Sequence, residues 1–329
     1  MKAFWACALA TGCAAGTLSS YFDNAGRPDV GTGGIRRIEI DTAKGKFHVW
    51  TKRVGNNPYL KILTLHGGPA ATHEYFEIFD THLPAAGVEY YYYDQLGSAY
   101  SDQPDEASLW TIERFADEVE QVRKALGLTR DNFVLHGHSW GGILAIEYAL
   151  RHPENLKGLV ISNMMASIPA YNEYARTVLM PRMDQKALAE ILALEKSGQY
   201  DSPRYEELLL PNFYVQHILR MPPEAWPDPV LRTFAHLNKK IYVPMQGPSE
   251  MGASGVLEKW DRTADLKKIQ APTLVIGARF DTMDPKHMEW MSKELPRGRY
   301  LYCPNGSHLA MYDDRETYFR GLIGFLKSL

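Results

Sequence analysis

A serine between two glycines is the feature that most constrains this chain. Residues 137–141 read Gly-His-Ser-Trp-Gly, directly after an apolar run at 133–135 and directly before a helical pattern at 142–150. A strand that passes into a helix through so sharp a turn needs glycine at the flanking positions. Such a turn lifts the Ser139 hydroxyl above the carboxyl edge of a parallel sheet, where ligands bind. The segment predicts a nucleophile on an α/β scaffold; an incidental serine in a glycine-rich turn is the alternative.

The remaining pattern predicts the sheet that such a turn requires. Short apolar runs predict strands, and apolar residues at helical spacing predict helices. The strands are expected at 37–40, 47–52, 61–65, 88–93, 133–135, 159–162, 272–276 and 299–303, and the helices at 111–126, 142–150, 286–295 and 316–326. Their alternation indicates a mostly parallel sheet with helices on both faces. Residues 166–260 break the alternation, so we expect a sheet domain of 35–165 plus 261–329 with a helical cap inserted at 166–260.

Two late polar residues complete a catalytic triad with Ser139. A serine hydroxyl needs a base to take its proton, and on such a scaffold the chain order is Ser, acid, His. Asp281 follows the strand at 272–276, and His308 follows the strand at 299–303. Both are therefore expected at the sheet edge that carries Ser139. His308 would take the serine proton, and Asp281 would orient the imidazole and stabilise its charged form.

Other acidic and imidazole side chains compete for these roles. Asp284 precedes a proline and a helical pattern, so it is interpreted as a helix N-cap. Asp313 and Asp314 are interpreted in the same way, as caps of the last helix. The spacing of His136 and His138 suggests metal ligands, but the serine turn explains this stretch better. We therefore expect no metal and no cofactor.

The negative oxygen that develops during acyl transfer needs fixed backbone N–H donors. Trp140, the residue after the nucleophile, supplies one. Gly68 is the expected second donor, because it follows the strand at 61–65 and a glycine lets substrate approach the backbone closely. A simple tight turn is the alternative interpretation of residues 66–69.

Several motifs together resemble the prolyl iminopeptidase family, which includes the tricorn-interacting aminopeptidase. They are His-Gly-Gly-Pro at 66–69, Asp-Gln-Leu-Gly-Ser at 94–98, Gly-His-Ser-Trp-Gly-Gly at 137–142 and Gly-Ser-His-Leu at 306–309, with further similarity at 212–214 and 246–250. The resemblance extends from about residue 33 to the end of the chain. It implies an α/β-hydrolase fold and a serine exopeptidase that releases an N-terminal proline, or another small apolar residue, through an acyl-enzyme.

The resemblance also implies how the substrate amine is held. In the tricorn-interacting type, a glutamate in a Gly-Pro-x-Glu segment of the cap binds the amine, and Glu250 occupies that position. A second glutamate follows the triad aspartate in that type, but this chain has Thr282 there. Asp284 and Glu173 are candidate replacements. Because of this departure, an amino-acid amidase or small-substrate esterase on the same triad is the alternative function.

Composition limits the partners. Lys plus Arg (36) nearly balances Asp plus Glu (39), giving a formal net charge of -3. Nucleic-acid-binding proteins usually carry a basic surface, so no nucleic-acid partner is expected. The resemblance implies a short peptide or amino-acid amide as the partner. A non-catalytic binding protein on the same scaffold usually lacks a triad residue, and none is missing here.

The N-terminus resembles an export signal. Lys2 is followed by an apolar stretch at 3–10 and then by small residues around Cys13, as in exported proteins. A cysteine after small residues also resembles a lipoprotein cleavage site, although Ala10 stands where such sites usually carry Leu. We expect residues 1–34 to be a signal and tether, and the protein to be periplasmic or lipid-anchored at Cys13. If the segment is not a signal, the expected location is the cytoplasm.

Overall fold

The computed structural model describes residues 20–329. The apolar N-terminal stretch and Cys13 lie outside the described residues, so export and lipid attachment stay predictions. Within residues 20–329 no helix has the length and apolar character needed to cross a bilayer.

One eight-stranded sheet organises the molecule. The strands lie in the order β1-β2-β4-β3-β5-β6-β7-β8. Their bounds are β1 Ile35–Thr42, β2 Gly45–Val54, β3 Lys61–Leu65, β4 Glu89–Asp94, β5 Phe133–His138, β6 Gly158–Ser162, β7 Thr273–Ala278 and β8 Gly298–Cys303. β2 is antiparallel to β1 and β4, and all the other neighbours are parallel. The expected mostly parallel α/β sheet is confirmed.

The central strands are buried along their whole length because helices cover both faces. Every residue of β3 to β7 is buried. The register pairs Leu65 with Gly137 and His138 with Ser162. The carboxyl ends of β3, β5 and β6 therefore meet at one edge, directly beside the Ser139 turn.

Helices cover the sheet and fill the segment between β6 and β7. Their bounds are α1 Phe79–His82, α2 Ile112–Ala125, α3 Trp140–Arg151, α4 Ile168–Tyr174, α5 Gln185–Lys196, α6 Pro203–Leu209, α7 Val215–His217, α8 Asp228–Ala235, α9 Lys239–Met245, α10 Pro285–Glu294, α11 Ala310–Asp313 and α12 Arg315–Leu326. Thr111 caps α2 by accepting from the Arg114 N–H, and Asp284 caps α10 by accepting from the Lys286 N–H. Both caps follow the preference for short oxygen-bearing side chains at helix starts.

The described residues form three apolar clusters. One lies under α2, α3 and α10, with Phe115, Leu144 and Met288 among its members. A second lies on the opposite face of the sheet and includes Phe79 of α1 and Phe319 of α12. The third is smaller and is formed by the segment between β6 and β7. That segment therefore has a core of its own in addition to its contacts with the sheet domain.

The two ends of the segment between β6 and β7 meet at one point. Ser167 and Asp261 form an isolated β-bridge, and the Ser167 hydroxyl donates to the Asp261 carboxylate at 2.7 Å. The indole N–H of Trp260 and the guanidinium of Arg262 both donate to Glu147 of α3, each at 2.7 Å. A helical insertion is thus fastened to the sheet domain where it leaves and rejoins it.

Residues 20–34 differ from the predicted tether. Tyr21 is buried, and its hydroxyl donates to the carbonyl of Val88 at 2.7 Å. Asp29 forms a buried ion pair with Arg53 of β2 at 2.7 Å. This part of the chain therefore packs against the sheet. The tether was predicted because the segment is mostly polar and only a few of its residues make the anchoring contacts.

Candidate active site

The Ser139 turn has the strained geometry that its sequence predicts. Ser139 lies between β5 and α3 with φ 55° and ψ −128°, a conformation that side-chain-bearing residues rarely adopt. A Cβ on Gly137 would lie 2.0 Å from the carbonyl oxygen of Gly141, and one on Gly141 would lie 2.0 Å from that of Leu65. Both positions therefore require glycine, and the turn presents Ser139 to a cavity.

His308 and Asp281 form the expected pair at the same edge. The Nδ1 atom of His308 lies 2.7 Å from the Oδ1 atom of Asp281, and both side chains are buried. Burial opposes protonation of His308, but the charge and hydrogen bond of Asp281 outweigh it and raise the imidazole pKa above its ordinary value. His308 and Ser139 line one cavity, and because Asp281 binds Nδ1, Nε2 is the ring nitrogen that can take the serine proton.

Asn163 holds the triad carboxylate from the other side. Its side-chain amide donates to the Oδ2 atom of Asp281 at 2.6 Å and to the carbonyl of Ser307 at 3.2 Å. Asn163 follows β6 with a φ of 53°, which asparagine tolerates better than most residues. This residue was not predicted, because its only signal in the sequence is an asparagine at the carboxyl end of a strand.

The loop after β3 leaves one backbone donor free beside the nucleophile. The Gly67 N–H donates to the Tyr75 hydroxyl at 2.8 Å. Among residues 20–329, neither the Gly68 N–H nor the Trp140 N–H donates to a protein acceptor. Gly68 has a φ of 106°, and a Cβ there would lie 2.6 Å from the Ala71 nitrogen. The geometry therefore favours Gly68 and Trp140, the predicted pair, over Gly67.

Gln95 connects the motif at 94–98 to the active site by hydrogen bonds. Its side-chain amide donates to the His66 carbonyl at 3.1 Å, and its side-chain oxygen accepts from the Trp140 indole at 2.8 Å. Its backbone N–H donates to the His66 ring at 3.1 Å. One side chain thus joins the loop after β3 to the helix that follows Ser139.

His136 and His138 have separate hydrogen-bond partners. The Nε2 atom of His136 lies 2.9 Å from the Tyr318 hydroxyl, and that of His138 lies 2.8 Å from the His308 carbonyl. In the part of the chain that the structure describes, no group of three or more His, Cys, Asp or Glu side chains converges as metal ligands would.

The cavity above Ser139 has a volume of about 210 Å³ and is mainly apolar. Its wall combines side chains of the sheet domain with side chains of the helical insertion, including Tyr75, Tyr214, Ile218, Val230, Phe234 and Leu309. The Glu250 side chain also lines it, and its Oε1 atom accepts from the Tyr242 hydroxyl at 2.6 Å. Burial raises the pKa of the Glu250 carboxyl, and the charge of His308 opposes that rise. The cavity thus places a carboxyl group within electrostatic reach of the triad.

The candidate replacements for a second carboxylate lie elsewhere. Thr282 is buried behind the triad, and its hydroxyl lies 3.3 Å from His308 Nδ1. Asp284 caps α10, and Glu173 is an exposed partner of Arg176. None of these lines the cavity. Glu206 of α6 does line it, and no sequence pattern pointed to this residue.

The expectation for Asp313 is wrong. Its carboxylate accepts from the backbone N–H groups of Ser307 and Arg220, both at 3.0 Å, and does not cap α12. Asp314 occupies the N-cap position, but its side chain accepts from the Asn305 N–H at 3.0 Å. Both carboxylates therefore hold the loop that carries His308.

Comparison with known proteins agrees with this geometry. Residues 62–315 match the family model described as alpha/beta hydrolase fold. A proline iminopeptidase of Flavobacterium johnsoniae is 56% identical over 292 residues, which cover 89% of this chain and 98% of that protein. The chain belongs to the proline iminopeptidase family of α/β hydrolases. Such an enzyme from Mycobacterium smegmatis has a solved structure that matches with a TM-score of 0.77 at 28% identity, over 89% of this chain and 98% of the other. The structure of VinJ matches with a TM-score of 0.82 at 29% identity, over 89% and 99%.

Proposed function

We propose that this protein is a serine aminopeptidase that releases an N-terminal proline, or another small apolar residue, from short peptides and amino-acid amides. One observation carries the proposal. One apolar cavity brings together Ser139, His308 and the carboxyl group of Glu250, and Asp281 binds the Nδ1 atom of His308 from behind. The relatives' name, proline iminopeptidase, points to the same reaction.

Binding would use two parts of the cavity. The substrate's protonated amine would be held by Glu250, because a carboxylate accepts short, charge-assisted hydrogen bonds from an ammonium group. The Tyr242 hydroxyl holds one carboxylate oxygen and leaves the other for the amine. The small apolar side chain or pyrrolidine ring would pack against residues such as Val230 and Phe234 of α8.

Chemistry would follow in two acyl-transfer steps. Ser139 Oγ attacks the carbonyl carbon while His308 takes the hydroxyl proton, and the Gly68 and Trp140 N–H groups bind the negative oxygen. His308 then gives the proton to the leaving amine as the C–N bond breaks, which leaves an ester on Ser139. Water attacks this ester with His308 again as the base and releases the amino acid. Asp281 stabilises the imidazolium in both steps.

An amidase or esterase on the same triad is not favoured. The relatives at 56% identity carry the name proline iminopeptidase. A carboxylate in an apolar cavity is costly unless a cation or a donor accompanies it. A neutral ester would add nothing to the hydrogen bond that Glu250 already accepts from the Tyr242 hydroxyl, whereas an N-terminal amine supplies a cation.

The proposal is tested by labelling and by a substrate panel. An organophosphonate should label the wild-type protein at Ser139 and should not label Ser139→Ala. The wild type should hydrolyse a proline arylamide and proline amide faster than a simple acyl ester of similar size. Absence of labelling would indicate a binding protein, and a strong preference for the simple ester would indicate the alternative function.

We also propose that the N-terminal segment exports the protein and that Cys13 carries a lipid. Support comes from the basic, apolar and small residues of that segment. The intact mass of the protein purified from native membranes tests this, because a processed and acylated chain differs in mass from the full chain. A full-length, unmodified and soluble chain would contradict it.

A further inference from the structure

Tyr75 lies in a short turn, Glu74–Phe76, and joins two parts of the active site. Its hydroxyl accepts from the Gly67 N–H at 2.8 Å and lies 3.1 Å from the Nδ1 atom of His138. The Nε2 atom of His138 lies 2.8 Å from the carbonyl oxygen of His308. The chain of contacts thus runs from the loop after β3 to the backbone of the triad histidine.

The directions of these hydrogen bonds follow from their end groups. A carbonyl oxygen can only accept, so the Nε2 atom of His138 carries a proton and donates to His308. Burial lowers the pKa of His138 well below its ordinary value, so the ring is neutral and its Nδ1 atom is an acceptor. The Tyr75 hydroxyl therefore donates to His138 while it accepts from Gly67. Each hydrogen bond from Gly67 through Tyr75 and His138 to His308 therefore has one donor and one acceptor.

We propose that Tyr75 is a positioning residue for acyl transfer. Its hydroxyl binds the loop after β3 (residues 66–71, the oxyanion loop) directly and binds the backbone of His308 through His138. It therefore keeps the oxyanion loop in a fixed position relative to His308. Engaging the Gly67 N–H orients this loop so that the next N–H, that of Gly68, faces the substrate. His138 fixes the backbone of His308 relative to the same hydroxyl. The proposal rests on the proposed function only in requiring that Ser139 transfers an acyl group.

The turn that carries Tyr75 is itself fixed from two sides. The Tyr75 N–H donates to the Thr233 hydroxyl of α8 at 3.0 Å, and its carbonyl accepts from the Tyr312 hydroxyl at 2.9 Å. The neighbouring Glu74 is buried and forms an ion pair with Arg232 of α8 at 2.6 Å. The helix that contributes Val230 and Phe234 to the cavity therefore also steadies the residue that positions the oxyanion loop.

The test compares Tyr75→Phe with Tyr148→Phe as a matched control. Tyr148 is also buried, and its hydroxyl donates to Glu120 at 2.7 Å and accepts from Asn155 at 3.1 Å, neither of which lines the cavity or belongs to the oxyanion loop. Removing one direct oxyanion donor costs about 10²–10³-fold in kcat, so we expect about a tenfold or greater fall for Tyr75→Phe. KM should stay within about twofold, and Tyr148→Phe should keep the wild-type kcat.

Two inhibitors separate positioning from binding. Prolinal forms a hemiacetal with Ser139 and places its oxygen in the oxyanion hole, whereas proline binds without reacting. For Tyr75→Phe the prolinal inhibition constant should rise by the same factor as kcat falls, and that of proline should not change. Equal rises for both inhibitors, or a kcat no lower than that of Tyr148→Phe, would overturn the proposal.

An ester substrate and a second variant separate a failure of this proposal from a failure of the proposed function or of folding. The rate on p-nitrophenyl acetate should fall for Tyr75→Phe as well, because any acyl transfer at Ser139 uses the same loop. Wild-type protein that hydrolyses this ester but no proline substrate would contradict the proposed function without affecting the positioning proposal. If Tyr75→Phe does not fold, His138→Phe keeps an aromatic ring, and the same fall in kcat and weaker prolinal inhibition are expected. Unchanged values in that variant would overturn the proposal.

Discussion

Replacing Glu250 by glutamine tests how the substrate amine is recognised. The substitution keeps the size of the side chain and removes its charge, so the Tyr242 hydroxyl retains an acceptor. A hydrogen bond to a charged group contributes about 1.5–3 kcal/mol. Since about 1.4 kcal/mol corresponds to a tenfold change, kcat/KM on a proline arylamide should fall about 10- to 100-fold.

The assay pairs the proline arylamide with a small ester that has no amine. Glu250→Gln should lower kcat/KM on the arylamide and leave the ester rate near the wild-type value. Glu206→Gln is the matched control, because Glu206 lines the same cavity but is exposed. Exposed charge pairs contribute about 0.2–1 kcal/mol, so this variant should change the arylamide rate less than about fivefold.

The pH profile gives a second readout of Glu250→Gln. The charge of Glu250 is one of the causes that raise the pKa of His308, and His308 must be neutral to accept the serine proton. Loss of that charge lowers the imidazole pKa, so the acidic limb of the ester profile should move to lower pH. An equal loss on both substrates, or no loss on the arylamide, would refute the amine-binding role.

Three further substitutions test the surroundings of the site and the anchoring of residues 20–34. Tyr242→Phe removes a hydrogen bond that lowers the Glu250 pKa, so that pKa should rise. KM for an amine substrate, measured across pH, should then begin to increase at a higher pH than in the wild type. Asn163→Ala removes the amide that holds the triad carboxylate. Because a hydrogen bond to a charged group contributes about 1.5–3 kcal/mol, kcat should fall about tenfold or more in steady-state assays with little change in KM. Arg53→Met leaves the Asp29 carboxylate buried and unpaired, which should lower the free energy of unfolding by about 3 kcal/mol near neutral pH. The hydrogen bond from Arg53 lowers the Asp29 pKa, so wild-type stabilisation is lost as pH falls through that pKa, and urea titrations should show the two proteins converging in acid.

Local sequence patterns were sufficient to predict the strand ends and the serine turn that carry the triad. The strand end that precedes Asp281 was recognisable because buried parallel strands are continuously apolar. The partly exposed edge strand before His308 was recognisable from its aromatic and apolar residues. The glycines around Ser139 were recognisable because a Cβ at Gly137 or Gly141 would overlap the backbone. These constraints act within a few residues of the positions they affect, so one sequence contains them.

Contacts between distant parts of the chain could not be predicted in this way. Asn163 and Asp281 are 118 positions apart, and Tyr75 and His138 are 63 apart. Their pairing depends on the order of the strands in the sheet, which no local pattern states. Glu206 reaches the cavity only because the helical insertion folds over Ser139. The same reasoning explains the wrong interpretation of Asp313, whose partners include Arg220, 93 positions away.

The most direct test of the aminopeptidase assignment is the ratio of kcat/KM for a proline arylamide to that for its N-acetylated form. Both share the scissile bond and leaving group, so the ratio isolates the free amine. With a charge-assisted hydrogen bond of about 1.5–3 kcal/mol at Glu250, the free amine should be preferred at least about tenfold. Equal rates on the two substrates would contradict the assignment.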